Sequence, residues 1–321
     1  MPISAQIRPL GRRKVGLALS GGAARGWAHI GALRALRRLG VDFDILAGCS
    51  AGALVGGCYL TQKIDELEAW ALALNKRKLV RYLDLNLNRG GLIRGDRLFA
   101  DLRGLLGSHR IEELRMPFVA VATDLMTGHE VWLQTGDLTD VLRASSALPG
   151  LFPPVELDKH WLADGALVDP IPVSACRALG ADIVIAVNLN TDIIGKVRRS
   201  PTSASGLMGF DPAALMEESA QASTAPFADG ITRGAFGHQS DKPSVFGVMT
   251  ASLSIMLDRL TRARLAGDPP DVNITPRVGH IGLLEFDRAE ELIREGEEAV
   301  EDKRPELMDA MQSIGFPSRL S

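Results

Sequence analysis

The chain has 321 residues, of which 46% are hydrophobic and 23% are charged, and its formal net charge at pH 7 is −3. These values are typical of a soluble globular protein, and the slightly acidic balance argues against nucleic acid as a partner. Three cysteines without metal-like spacing argue against a disulfide framework and indicate free thiols in a reduced compartment: Cys49, Cys58 and Cys176.

Two stretches have some features of targeting or membrane segments. The basic residues at 12–14 precede an apolar run that stops at Leu19, which is too short for a signal peptide. Residues 45–62 carry no charge, but they contain several glycines and fall slightly short of the roughly 20 residues that a membrane-spanning helix needs. We therefore expect no transmembrane helix and a cytoplasmic protein that can contact the inner membrane surface peripherally.

The first half of the chain alternates short apolar runs with helical patterns after a basic tail at 1–13. In chain order we predict a strand at 14–19, a glycine-rich turn at 21–26, a helix at 27–39, a strand from 43 to the glycine at 48, a small-residue helix up to 60, a helix at 65–80, a second glycine-rich turn at 90–95, a helix at 96–106, and strands at 117–123 and 128–133.

The second half continues this alternation up to about residue 190. We predict a helix at 139–146, an apolar proline-rich loop at 148–154, a hairpin at 155–163, a helix at 173–179, a strand at 182–187, an insertion at 194–244, a helix at 245–265, an edge strand at 271–275, and a helix at 287–311 that is broken near Pro305. Strands that alternate with helices over 14–190 predict a mostly parallel α/β sheet. We expect one domain over 14–321.

The insertion at 194–244 is rich in Ser, Ala, Gly, Pro and Thr and has few large apolar residues. A solvated linker explains this composition. A lid or membrane-contact segment is the alternative, because three basic residues at its start could lie near lipid headgroups: Lys196, Arg198 and Arg199.

The sequence Gly48-Cys-Ser50-Ala-Gly52 follows an apolar strand and opens a helix, which is the context of a nucleophile elbow. The two glycines allow a sharp turn and close helix packing. Ser50 would then lie at a helix N-terminus, where backbone N–H groups favour a developing negative charge. A simple turn with Ser50 as helix N-cap is the alternative. Cys49 should point back into the core.

A serine nucleophile needs a base, and the usual base is histidine. Chain order leaves His238, inside the insertion, and His280, in a loop after Pro276, and neither has a rigid setting. His29 is better explained as a packed or solvated residue of the first helix. Asp164 follows an apolar strand end and precedes a glycine, so it is either a base held near Ser50 or a turn aspartate. The sequence leaves both readings open.

The turn Gly21-Gly22-Ala23-Ala24-Arg25-Gly26 follows the first strand. Successive glycines let the backbone present several N–H donors toward one point, which suits an oxyanion hole. Arg25 adds a positive charge. A nucleotide site is the competing interpretation, but the segment lacks the Lys-Ser/Thr of a P-loop and the Gly-x-Gly-x-x-Gly pattern.

Three ordered motifs resemble those of the patatin-like phospholipases, and most closely the bacterial neuropathy-target-esterase-like branch. The motifs are Gly21-Gly22-x-x-Arg25-Gly26, Gly48-x-Ser50-x-Gly52 and Asp164-Gly165-Ala166, with supporting similarity at 27–31, 145–154 and 178–184. The resemblance covers residues 14–190, with weaker similarity at 245–311. It implies a three-layer α/β/α sandwich with a mostly parallel central sheet.

The resemblance also implies a Ser50–Asp164 dyad, an acyl-enzyme intermediate and hydrolysis of phospholipid or lysophospholipid esters without metal or other cofactor. The oxyanion hole would use Gly21, Gly22 and Ala23, supported by Arg25. Ala23 departs from the pattern, since many members carry a third glycine there, and alanine costs energy if this position needs a positive φ. Two alternatives remain: a Ser50–Asp164–His280 triad esterase on small esters, and a non-catalytic acyl-lipid-binding regulator.

Overall fold

The structure is a computed structural model, and it describes residues 13–75, 78, 79, 82, 94–191 and 245–314. The strands are β1 (Val15–Leu19), β2 (Ile45–Cys49), β3 (Phe118–Asp124), β4 (Glu130–Leu133), β5 (Val155–Leu157), β6 (His160–Asp164), β7 (Ile183–Val187) and β8 (Val272–Ile274). The α-helices are α1 (Ala28–Arg38), α2 (Ala51–Leu60), α3 (Ile64–Leu72), α4 (Asp96–Leu106), α5 (Leu138–Ser145), α6 (Val173–Ala178), α7 (Val245–Gly267), α8 (Ala289–Asp302) and α9 (Arg304–Ser313).

All eight described strands belong to one sheet with the order β5-β6-β3-β2-β1-β7-β8, and β4 pairs with β3. The strands from β3 to β8 along this order run parallel, whereas β4, β5 and β6 pair in antiparallel fashion. The predicted mostly parallel α/β sheet is confirmed. Strand β8 is the terminal strand, as the prediction of an edge strand required.

The sheet is covered by helices on both faces, which explains why its central strands are continuous apolar runs. In β1, Leu17 and Leu19 pack into a large core with side chains of α1 and α8. Ala18, between them, points to the opposite face and packs with Val173 and Cys176 of α6. The result is the three-layer α/β/α arrangement.

Two strands share β3 as a partner along its length. β2 pairs with its first part, so that Cys49 lies opposite Val121. β6 pairs in antiparallel fashion with its last part, so that Asp164 lies opposite Ala122. Because Val121 and Ala122 are consecutive, the C-terminal ends of β2 and β6 meet at the same level of the sheet.

Several predicted boundaries change in the structure. The helix predicted at 65–80 ends at Leu72, and the helix predicted at 27–39 begins at Ala28 because residues 23–27 form a 3₁₀ turn. The last predicted helix is divided into α8 and α9, with Pro305 in the first turn of α9, where proline is tolerated. The tail at 1–12, most of the 90–95 turn and the insertion lie outside the described residues. Among the described helices, none combines the length and the apolar character that crossing a bilayer requires.

Candidate active site

Ser50 lies between β2 and α2 with φ 52° and ψ −121°, a conformation that non-glycine residues rarely adopt. The glycines on either side make this turn feasible. A Cβ atom on Gly52 would overlap the Leu19 carbonyl group, and one on Gly48 would collide with the backbone of Ala53. Strand β2 and helix α2 therefore approach each other more closely than side chains would allow, and the predicted elbow conformation is present.

The Ser50 hydroxyl donates a hydrogen bond to Asp164, with 2.6 Å between Oγ and Oδ2. Ser50 is 8% exposed and Asp164 is 1% exposed, so the pair is nearly closed to solvent. The other carboxylate oxygen, Oδ1, accepts the Ala166 N–H at 2.9 Å and lies 3.9 Å from the Cys49 thiol. The structure brings together the two residues that the sequence singled out 114 positions apart.

Burial raises the pKa of Asp164 from its ordinary value of 3.8 to about 6, and the hydrogen bonds from Ser50, Ala166 and Cys49 partly oppose that rise. All three donors are neutral, so none of them holds the carboxylate in its charged form as a cation would. A carboxylate with this proton affinity is ionised at neutral pH and still accepts a proton readily. These are the properties that a general base needs.

Ser145, at the end of α5, supports the elbow, and the sequence reasoning gave it no role. Its hydroxyl accepts the Ser50 N–H at 3.0 Å and donates to the Val121 carbonyl at 2.6 Å. The side chain is fully buried. It thus ties the strained Ser50 backbone to β3. No local sequence signal marks this role, because Ser145 and Ser50 are 95 positions apart in the chain.

The glycine-rich turn lies beside Ser50: a Cβ atom placed on Gly21 would be 3.5 Å from the Ser50 Cβ. The Gly21 N–H, however, donates to the Pro170 carbonyl at 3.0 Å, so Gly21 is not free as an oxyanion donor. Within the described part of the chain, the N–H groups of Gly22 and Ala23 have no hydrogen-bond acceptor. Ala23 has φ 49°, the positive value at which alanine is strained.

Arg25 supports the glycine-rich turn through a hydrogen bond to another segment, whereas the sequence suggested only a positive charge beside the oxyanion hole. The side chain is 1% exposed, and its Nε donates to the Ile281 carbonyl at 2.7 Å. Burial lowers the pKa of Arg25 to about 10, although Glu285 opposes this effect. Through this bond Arg25 fastens the glycine-rich turn to the loop that precedes α8.

None of the histidines within the residues that the structure describes contacts the Ser50–Asp164 pair. His29 is buried and its Nε2 lies 2.8 Å from the Ser20 carbonyl; burial lowers its pKa to about 4, so it is a neutral packed residue as predicted. His280 Nε2 lies 2.8 Å from Glu291 on α8. Because Ser50 bonds directly to Asp164, no histidine stands between them, which argues against the triad alternative. His238 lies outside the described residues.

The predicted orientation of Cys49 is confirmed: it is fully buried behind the elbow. Burial raises the pKa of its thiol far above the ordinary value, and the nearby Asp164 adds to this effect. A thiol that stays protonated is a poor nucleophile. Ser50 is therefore the side chain at this turn that is placed to react.

An apolar cavity of about 110 Å³ is lined in part by residues of the elements that hold the site, although neither Ser50 nor Asp164 is among its lining residues. Leu54 of its lining lies one turn after Ser50 on α2, and Trp27 ends the 3₁₀ turn that begins at Ala23. The lining residues that belong to the described part of the chain are Trp27, Leu54, Trp70, Leu74, Leu79, Tyr82, Leu98, Leu151, Phe152, Leu284 and Phe286. The proline-rich loop contributes two of these residues, as its apolar composition predicted.

Comparison with known proteins gives consistent results. A family model described as patatin-like phospholipase matches residues 17–177. An uncharacterized NTE family protein of Mycobacterium tuberculosis is 35% identical over 332 residues, which span 92% of each chain. A lysophospholipase, NTE1, of Pyricularia oryzae is 28% identical over 92% of this chain and 19% of its own length. The structure of VipD from Legionella pneumophila aligns with 96% of this chain and 72% of that one, at a TM-score of 0.48 and 14% identity.

Proposed function

This chain belongs to the patatin-like phospholipase family, and we propose that it is a serine hydrolase that cleaves the carboxylic ester bonds of phospholipids or lysophospholipids. The observation that carries this proposal is the 2.6 Å contact between Ser50 Oγ and Asp164 Oδ2 at a strained elbow. The similarity to a fungal protein named lysophospholipase supports the choice of substrate class.

In the first half of the proposed reaction, Ser50 Oγ attacks the ester carbonyl carbon while its proton passes to Asp164 Oδ2. The carbonyl oxygen becomes an oxyanion, and in this proposal the N–H groups of Gly22 and Ala23 and the N-terminus of α2 stabilise it. The tetrahedral intermediate then collapses. The alcohol portion of the lipid leaves with the proton from Asp164, and the acyl group remains on Ser50 as an ester.

In the second half, a water molecule attacks the acyl-enzyme and gives a proton to Asp164. Collapse of the second tetrahedral intermediate releases the fatty acid and returns the proton to Ser50 Oγ. Asp164 acts as base and then as acid in each half, which requires a proton affinity close to the working pH. The raised pKa of Asp164, about 6, supports this role.

The apolar cavity supports an acyl chain as the bound group. Two of its lining residues belong to the elements of the proposed site: Leu54 lies one helical turn after Ser50 on α2, and Trp27 lies four residues after Ala23 in the 3₁₀ turn. An acyl chain that leaves water for this cavity gains roughly 0.8 kcal/mol per buried methylene group. The glycerol and headgroup portion would then extend to the solvent side of Ser50.

The test is hydrolysis of p-nitrophenyl butyrate and of lysophosphatidylcholine, together with labelling by a fluorophosphonate probe, for wild type and Ser50→Ala. We expect both activities and the labelling to be abolished in the variant, because the probe and the ester require the same hydroxyl. Ser313→Ala, at the end of α9, is the matched control and should behave as wild type. Absence of both labelling and ester turnover in wild type, with lipid binding retained, would favour a non-catalytic lipid-binding protein, and full activity of Ser50→Ala would refute the proposal.

A further inference from the structure

Helix α7 lies against the candidate active site with one of its faces. Leu257 packs on Cys49 and Ala166, the residues that adjoin Ser50 and Asp164 in the chain. Seven positions further on, Arg264 Nε donates to the Val168 carbonyl at 2.9 Å. Leu257 and Arg264 are two helical turns apart and so share a face. The inner face of α7 therefore backs the turn that holds the nucleophile and the segment that follows the base.

The opposite face of α7 exposes large apolar side chains. Val248 is 48% exposed, Ile255 is 51% exposed and Met256 is 56% exposed. Val248 and Ile255 are seven positions apart, and Met256 lies next to this stripe. Isolated exposed apolar residues need no explanation, but three on one helical face form a patch that suggests a binding surface.

The same face becomes cationic toward the C-terminus of the helix. Arg259 and Arg262 continue the spacing of Val248 and Ile255, and both are exposed. The single acidic residue of α7, Asp258, is 1% exposed and bonds to Arg262 at 3.0 Å. A chain with a net charge of −3 thus presents on this helix a surface that is apolar at one end and basic at the other.

We propose that the outer face of α7 docks on a lipid surface that contains anionic headgroups; this inference rests on the proposed function, in which the substrate is a membrane lipid. Apolar side chains of an amphipathic helix enter the boundary between headgroups and acyl chains, and arginines on the same face bind the lipid phosphates. Val248, Ile255 and Met256 supply the first contact, and Arg259 supplies the second, since the guanidinium of Arg262 is already paired with Asp258. Since the inner face of the same helix backs Ser50 and Asp164, docking holds the active site at the membrane.

The experiment is flotation of the full chain with vesicles of phosphatidylcholine, with and without phosphatidylglycerol. Ile255→Asp should lower the bound fraction about tenfold, because it places a charge at the headgroup boundary. Leu72→Asp is the matched control, since Leu72 is 49% exposed on α3, and it should bind as wild type. Arg259→Gln should weaken binding to the phosphatidylglycerol vesicles alone, and high salt should remove that difference. Arg259→Gln thus provides a second variant in case Ile255→Asp folds poorly.

Two further measurements separate docking from catalysis and from self-association. Ile255→Asp should hydrolyse soluble p-nitrophenyl butyrate as wild type does but lose most activity on vesicle lipids. Flotation of Ser50→Ala should equal that of wild type, so docking can be tested even if the proposed chemistry is wrong. Equal flotation of wild type, Ile255→Asp and Arg259→Gln would overturn the docking proposal. A change from dimer to monomer in Ile255→Asp, measured by light scattering, would overturn it in favour of a second copy on this face.

Discussion

Asp164 and Asp124 end neighbouring strands of the sheet, and each carboxylate contacts one other side chain closely. Asp164 accepts a hydrogen bond from Ser50, whereas Asp124 lies 2.9 Å from His160 Nδ1. Both aspartates are buried, at 1% and 4% exposure. Their pKa values nevertheless move in opposite directions: burial raises that of Asp164 to about 6, and the bond to His160 lowers that of Asp124.

The contrast shows that the depth of burial and the partners of a carboxylate together decide what it can do, since desolvation outweighs the hydrogen bonds at Asp164 but not at Asp124. The hydrogen bond with the His160 imidazole and that from the Met126 N–H favour the ionised form of Asp124 and lower its pKa. Asp124 Oδ1 accepts the Met126 N–H at 2.8 Å in the turn after β3. Asp124 is therefore a structural residue. The donors to Asp164 are all neutral, so desolvation dominates and the carboxylate retains an affinity for protons. The same residue type at two adjacent strand ends thus serves as a turn cap in one place and a candidate base in the other.

The largest expected effect comes from replacing the two aspartates in parallel. Asp164→Asn should lower kcat for p-nitrophenyl butyrate about a thousandfold, since an amide cannot accept the proton of Ser50. Asp124→Asn should stay within about threefold of wild type, because it removes no group that touches Ser50. Thermal melts of both variants would show that each is folded. Comparable losses from the two substitutions would contradict the distinction between base and turn cap.

The second-largest effect is expected when the pH of the wild-type assay is changed, with kcat/KM followed in a pH-stat on a neutral ester. Asp164 must be ionised to act as base, so the rate should rise with pH and level off above the pKa of about 6. At pH 4 we expect roughly a hundredfold less activity than on the plateau, a tenfold fall for each pH unit.

Asp169 is the control for this profile, because its pKa is also raised, to about 7, by burial and by Glu130. Asp169→Asn should retain the transition near pH 6. If the transition disappeared in Asp169→Asn, the fall in kcat/KM at acidic pH would reflect the titration of Asp169 and not that of Asp164. A transition near pH 4 in wild type would mean that Asp164 is not desolvated as the geometry indicates.

The smallest effect is expected from His160→Ala. Loss of the imidazole should raise the pKa of Asp124 toward its ordinary value, which carbon-detected NMR of the carboxyl group can follow. The depressed pKa of Asp124 contributes stability above its unfolded pKa, and this contribution is lost as the pH falls through the folded value. The variant should therefore melt lower than wild type by less than about 4 °C at neutral pH, and the gap should close in acid. Turnover of a soluble ester should be unchanged.

Much of the fold follows from local patterns that could be recognised in the sequence. The strands β1, β2 and β3 are buried on both faces and are therefore continuous apolar runs. The neighbouring helices differ in pattern, because their apolar residues recur only every three or four positions. Pro305 divided the last helical segment where its missing N–H group requires it. The premature end of α3 was missed, because the helical spacing of apolar residues continues past Leu72 while the helix does not.

The candidate site was only partly predictable. Gly48, Ser50 and Gly52 carry their own geometric signal, since the turn and the close helix contact both need glycine. The use of the Gly21 N–H by the Pro170 carbonyl could not be foreseen, because the two residues are far apart in the chain. The role of Ser145 could not be foreseen either, because its hydroxyl accepts the Ser50 N–H only once the chain is folded.

By itself, the sequence determined a parallel α/β sheet, an elbow at Ser50 and a glycine-rich turn after β1, because apolar periodicity and glycine requirements are local properties of the chain. Only the tertiary structure showed which carboxylate lies within hydrogen-bonding distance of Ser50. Asp164 could have been a turn residue until β6 was seen to enter in antiparallel fashion and end opposite Ala122, one residue beyond the partner of Cys49. The burial that raises its pKa likewise arises from the packing of distant segments, which no single stretch of sequence specifies.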